Sequence, residues 1–193
     1  TLTIGDFDDD GDVDFVAGNL GENAKIKARP GKPLTLHLSD FDGDGRIDPI
    51  ISTYLGEKNC IFSTRDQLFS QIPSLKSRFP TYRSFAEAGS VESIFSASQI
   101  ESARIVQATE FRTCLIENNG NGTFTVKPLP AEAQLFPVYS ILLSDFNYDG
   151  IKDMLLGGNM YRAHIEYGRY DAGYGLYLQG LGNNQFSPRT IRQ

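Results

Sequence analysis

Three nine-residue windows repeat one pattern, Asp-Phe-[Asp/Asn]-x-Asp-Gly-x-x-Asp. They read Asp6-Phe7-Asp8-Asp9-Asp10-Gly11-Asp12-Val13-Asp14, Asp40-Phe41-Asp42-Gly43-Asp44-Gly45-Arg46-Ile47-Asp48 and Asp145-Phe146-Asn147-Tyr148-Asp149-Gly150-Ile151-Lys152-Asp153. Thirteen of the 24 acidic residues of this 193-residue chain lie in them, against only Arg46 and Lys152 as bases. Carboxylates this dense repel one another in a folded protein unless a cation sits among them. The formal net charge is −6, which three divalent ions would cancel.

Oxygen side chains at positions 1, 3, 5 and 9, with glycine at 6 for a sharp turn, suit a loop that wraps a hard cation. The expected side-chain ligands are Asp6, Asp8, Asp10 and Asp14, then Asp40, Asp42, Asp44 and Asp48, then Asp145, Asn147, Asp149 and Asp153. Position 7 would add the carbonyls of Asp12, Arg46 and Ile151. Calcium, up to three ions, fits this all-oxygen set; magnesium keeps more water, and no His/Cys cluster favours zinc or copper. The bland reading is a set of Asp/Gly surface turns. Asn147 replaces a carboxylate by a neutral amide, so the third loop is expected to be the weakest. Phe7, Phe41 and Phe146 are expected to point into the core.

An EF-hand or dockerin loop needs an acidic ligand at position 12, and Ala17, Ile51 and Leu156 stand there. The flanks alternate as strands do: Leu2 and Ile4, Val13 to Val16, Leu36 and Leu38, Ile141 to Leu143, Met154 to Leu156. These are calcium loops on β-hairpins.

Gly18-Asn19 aligns with Gly158-Asn159, and the stretch that follows stays in step without a gap. Leu34–Leu38 then falls on Tyr174–Leu178. This predicts two copies of a four-strand unit, with strands at about 1–5, 13–18, 34–39 and 47–54, and again at about 138–144, 152–158, 174–179 and 185–191. A repeated four-strand antiparallel sheet reads as a propeller blade. Between the copies, Thr64-x-x-Gln67 predicts a helix start, Leu68, Ile72, Leu75 and Phe79 share one face, and Pro73 divides the segment. Further short helices are expected after Ser90 and after Ser98, the latter opening Ser98-x-x-Glu101 as a capping box would. Residues 100–130, with the Asn118–Gly122 turn, read as a partial middle blade, and 63–99 as a helical insertion.

The loops between short strands, with the later Asn-Asn-Gly-Asn-Gly-Thr-Phe hairpin, resemble the FG-GAP/VCBS repeats of integrin-α-like β-propellers. Gly18–Gly21, Leu34–Leu38, Thr64–Leu68 and Gly168–Ala172 together resemble bacterial secreted VCBS-repeat proteins related to the ASPIC/UnbV group. The resemblance implies a mainly β fold: a partial β-propeller of about three four-stranded blades, one domain over 1–193 that is a fragment of a larger protein. It also implies a secreted or cell-surface calcium-stabilised scaffold that binds a protein or glycan.

Other classes are less well supported. No apolar run reaches the ~18 residues needed to cross a bilayer, and the acidic chain lacks the basic stripe that nucleic acid requires. No G-x-S-x-G, Walker loop or H-E-x-x-H is present. A carbohydrate-active enzyme would need an acid pair outside the calcium loops. Self-association through open blade edges is a third class. Tyr161–Tyr174 holds four Tyr, two Arg, His164 and Asp171; it reads either as a recognition surface or as rings sealing an inter-blade gap. Lys76, Arg78 and Arg83, near Phe79 and Tyr82, form a recognition patch or a solvated face. His37 and His164 read as ordinary packing or surface residues. Cys60 and Cys114 are consistent with one disulfide, which spacing alone does not establish.

Overall fold

The computed structural model describes residues 1–164 and 168–189. In chain order the elements are β1 (Leu2–Gly5), β2 (Asp14–Ala17), β3 (Leu34–Ser39), β4 (Asp48–Leu55) and β5 (Lys58–Ile61). Helices α1 (Arg65–Gln71), α2 (Leu75–Arg78), α3 (Tyr82–Ala88), α4 (Val91–Ile94) and α5 (Ala97–Glu101) follow. The remaining strands are β6 (Arg104–Ala108), β7 (Cys114–Asn118), β8 (Phe124–Pro128), β9 (Ser140–Ser144), β10 (Asp153–Gly157), β11 (Leu176–Gly182) and β12 (Gln185–Arg189). A 3₁₀ turn spans Ala131–Gln134. Among the described residues no helix is long and apolar enough to cross a membrane.

The fold is mainly β, with three antiparallel four-stranded sheets ordered β1-β2-β7-β8, β9-β10-β11-β12 and β5-β4-β3-β6. No closed propeller is present among the described residues. The chain divides into two compact units, Thr1–Lys25 with Phe111–Gln193, and Ile26–Glu110. The first unit holds the first two sheets; the second unit holds the third sheet and helices α1 to α5.

Most strand positions match the alternation in the sequence, but the pairing of the first predicted copy does not. β1 and β2 do not share a sheet with β3 and β4; β2 pairs instead with β7, Phe15 opposite Ile116 and Val16 opposite Leu115. The 140-residue repeat aligned β3 with β11 because both are apolar strands of similar length. The true counterpart of β11 is β7, about a hundred residues beyond β2. The partial middle blade at 100–130 is likewise absent, since β6 pairs with β3 while β7 and β8 complete the first sheet. The second copy forms one sheet, with β12 ending at Arg189 and the predicted residues 190 and 191 lying outside the described ones.

Two cores result. In the first unit Phe7, Val16 and Leu115 meet Phe136, Val138, Met154, Leu156 and Leu178, all buried, so the first two sheets pack face to face. Burial of side chains this size contributes ~1.5–3 kcal/mol each. Buried Gln134 ties the 3₁₀ turn to β7: its amide donates to the carbonyls of Thr113 and Leu129 and accepts from Thr113 N–H. Gly158 must lack a side chain, because a Cβ there would lie 2.0 Å from the Pro137 carbonyl.

In the second unit the helices cover Phe41 and Ile50 with Leu68, Phe69, Ile72, Val91, Ile94 and Phe95. Thr64 and Gln67 form the capping box that starts α1, at 3.4 and 3.0 Å. The helix after Ser90 is present, but the last one is capped by Ser96 with Gln99, two residues before the expected Ser98. Ser96 wins because the Gln99 amide, once placed there, also donates to the Phe41 carbonyl at 2.6 Å. Arg78 donates to the carbonyls of Ile94 and Ser93 at the end of α4, and Arg83 pairs with Glu87. Both guanidinium groups therefore have structural partners. No disulfide joins Cys60 and Cys114.

Candidate metal centre

The three acidic windows fold into loops of one design between β1 and β2, β3 and β4, and β9 and β10. Position 4 takes a left-handed backbone in each, with φ of 61° at Asp9, 79° at Gly43 and 63° at Tyr148. Position 6 does the same at Gly11, Gly45 and Gly150, with φ of 91°, 87° and 87°. Two left-handed residues so close together curl the backbone and turn its N–H groups inward, toward side-chain oxygens.

The hydrogen bonds repeat loop by loop. The position 1 carboxylate accepts the N–H of position 6, at 3.1 Å for Asp6, 2.8 Å for Asp40 and 2.9 Å for Asp145. Position 5 accepts the N–H of position 7, at 2.8 Å for Asp10 and Asp44 and 2.9 Å for Asp149. Position 9 reaches back to the N–H of position 2, at 3.3 Å for Asp14 and 3.0 Å for Asp48 and Asp153. All three position 9 carboxylates are buried. Asp14 Oδ1 also takes the Asn118 N–H, and Asp153 takes the Tyr177 hydroxyl and the Gly180 N–H.

In the first loop one carboxylate oxygen from each of Asp6, Asp8 and Asp14 lies within 4.8 Å of the other two, and Asp40, Asp42 and Asp48 do the same in the second. Asp10 and Asp44 are outside these groups. The residues fit a hard cation best in the first loop, where Asp6 Oδ1 and Asp8 Oδ1 are buried and meet no donor. An unpartnered buried oxygen costs ~1–3 kcal/mol, more when charged. Burial, then the neighbouring charges of Asp10 and Asp14, pushes the Asp8 carboxyl above the usual range. The third loop differs: the Asn147 amide donates to Asp149 Oδ2 at 2.8 Å, and Asp149 is held below the usual range by the Ile151 N–H and then by that amide.

Two contacts here carry no spacing signal in the sequence. The Asn184 amide, at the β11–β12 turn, donates to Asp8 Oδ2 and Glu117 Oε1, both at 2.7 Å. The Tyr177 hydroxyl donates to buried Asp153 at 2.8 Å, and burial followed by that bond pushes the phenol up to about 12. The only hint was Asn183-Asn184 itself, which supplies the left-handed turn.

Of the position 2 phenylalanines, Phe7 and Phe41 are buried, but Phe146 is 41% exposed. It stands edge-on to Tyr177 at 6.1 Å, on the outer face of its sheet. In the Tyr161–Tyr174 connection, residues 165–167 lie outside the described ones. Tyr161 and Tyr174 are exposed, so they do not seal a gap, and Asn159 clasps Gly173 with bonds of 2.8 and 2.9 Å. His37 is buried in β3 with Nε2 3.2 Å from Ser52 Oγ.

No protein family model, curated protein or solved structure matches the chain.

Proposed function

We propose that the chain is a calcium-binding β scaffold, its three loops each taking one ion and its sheets serving as blades of a partial propeller of the FG-GAP/VCBS type. The observation that carries this reading is the first loop, where three carboxylates converge and two of their oxygens are buried with no donor. Asp6, Asp8 and Asp14 would hold the ion there with Asp10 and the Asp12 carbonyl, and Asp40, Asp42, Asp44, Asp48 and the Arg46 carbonyl in the second loop. Asp145, Asn147, Asp149, Asp153 and the Ile151 carbonyl form the weaker third set. The ion supplies positive charge that neutralises the cluster and fixes the hairpin.

Such a scaffold belongs outside the cell, where calcium is plentiful, and displays a surface to a protein or glycan. Exposed Tyr161 and Tyr174 support that surface, since tyrosine gives large contact area with a directional hydroxyl. Calcium titration by calorimetry tests the metal reading: saturable binding that Asp6→Asn with Asp8→Asn weakens supports it, and no heat at any concentration rejects it. A glycan and peptide screen with calcium present tests the ligand reading, with Tyr174→Ala as the control that loses any hit.

A further inference from the structure

The two sheets of the first unit are copies in register. Gly5 opposite Asp14 corresponds to Ser144 opposite Asp153. The row Thr3, Val16, Leu115 and Lys127 corresponds to Leu142, Leu155, Tyr177 and Arg189. The neighbouring row Ile4, Phe15, Ile116 and Val126 corresponds to Leu143, Met154, Leu178 and Pro188.

The sheets therefore meet through unlike faces. Val16 and Leu115 of the first sheet are buried in the joint, while their counterparts on the second sheet are less covered: Leu155 is exposed and Tyr177 half-buried, with Leu142 in the same row also exposed. Conversely, Met154 and Leu178 of the second sheet are buried, while their counterparts Phe15 and Ile116 on the first sheet are only half-buried and Ile4 and Val126 at the ends of that row are exposed. Each half of the joint is thus repeated, only partly covered, on the far side of the other sheet.

The aromatic rings follow the same rule. Phe7 is buried against Phe186, edge to face at 5.9 Å. Their counterparts are Phe146 and Phe124, 41% and 51% exposed. Phe146 lines a cavity of about 380 Å³ with Asn147, Leu155 and Tyr177.

We propose that a second copy of this chain fills that cavity. The outer face of its first sheet, led by Phe124, packs on the outer face of the partner's second sheet and repeats the Phe7–Phe186 joint between molecules. Continuity with the joint already formed inside the unit identifies the occupant, because the surface that needs cover and the surface shaped to cover it both belong to this chain. Unlike faces make the association head to tail. The counterpart of Asn184 is Gly122, so the joint between copies lacks the amide bond to the loop and rests on apolar contact. This inference goes beyond the proposed function and stands on the strand registers, independently of ion binding.

Sedimentation velocity over a concentration series tests it, with Leu155→Glu and Val126→Glu each blocking one face at an exposed position. The wild-type mass rises with concentration, each variant alone loses the association, and a mixture of the two forms a pair that grows no further. A wild type monomeric throughout overturns the proposal, as does association that only one variant abolishes or that mixing fails to restore; such results leave the face to a different partner. Should either variant melt below the wild type, Leu142→Lys and Ile4→Lys replace them. Calcium binding is scored separately: ion binding without association sinks this inference alone, and association without ion binding sinks only the metal reading.

Discussion

The Asn184 amide nitrogen stands 2.7 Å from Asp8 Oδ2, joining the last hairpin of the chain to its first acidic loop. The bond satisfies one oxygen of Asp8 and leaves Oδ1 buried without a donor. It also places the second sheet against the loop whose charge most needs a counter-ion, so loop and sheet stabilise each other.

Removal of calcium is accordingly expected to lower the melting temperature. An ion present at a hundred times its dissociation constant adds about 2.7 kcal/mol per site. For a chain of this size that is a shift on the order of 5–10 °C. Scanning calorimetry with excess calcium and then with excess chelator measures it, and coincident melts would leave the ions no structural role. Asn184→Ala is expected to reduce the shift, because the first loop loses its anchor.

Asp153→Ala is expected to destabilise the first unit by about 3 kcal/mol, since it strands three donors, the buried Gly180 N–H and the partly buried Phe146 N–H and Tyr177 hydroxyl. The double change Asp153→Ala, Tyr177→Phe should cost less than the sum of the two single changes. Urea melts of the four proteins measure the coupling, and strict additivity would contradict it.

His37 is expected to make stability pH-dependent. Burial holds its imidazole below the ordinary value of 6.5, with Glu92 opposing weakly. Below about pH 6.5 the unfolded chain takes up a proton that the folded chain refuses, so stability falls as pH drops through that point and is level above it. Comparing His37→Asn with wild type between neutral pH and about pH 5 isolates this slope from that of the acidic loops; equal slopes would remove His37 as the source.

Ser96→Ala is expected to cost about 1 kcal/mol, and Ser98→Ala less than half of that. Chemical denaturation of the two variants ranks them, and the reverse order would return the cap to Ser98. The sequence favoured Ser98-x-x-Glu101 because its acid looked like a capping-box partner, whereas Gln99 is chosen by the Phe41 carbonyl, a contact 58 residues away.

That contrast marks what was legible. Most strand positions, the Thr64 cap and the convergence of the position 1, 3 and 9 carboxylates in the first two loops follow from local alternation and spacing. Strand partnership did not, because β3 and β7 are both short apolar strands and only tertiary packing decides which one β2 accepts. The left-handed position 4 was hidden too, since Asp9, Gly43 and Tyr148 share no chemistry. Phe146 holds the same place in the nine-residue pattern as Phe7; what differs in the fold is that another sheet covers Phe7.

The pairing of Phe15 with Ile116 sets a timetable for folding. Everything from Ile26 to Glu110 must leave the ribosome before β2 meets its neighbour. At translation speeds of ~5–20 residues per second, that wait is on the order of 5–20 s. A two-stranded hairpin is barely stable alone. An ion held by Asp6, Asp8 and Asp14 during that interval would keep its register until β7 arrives.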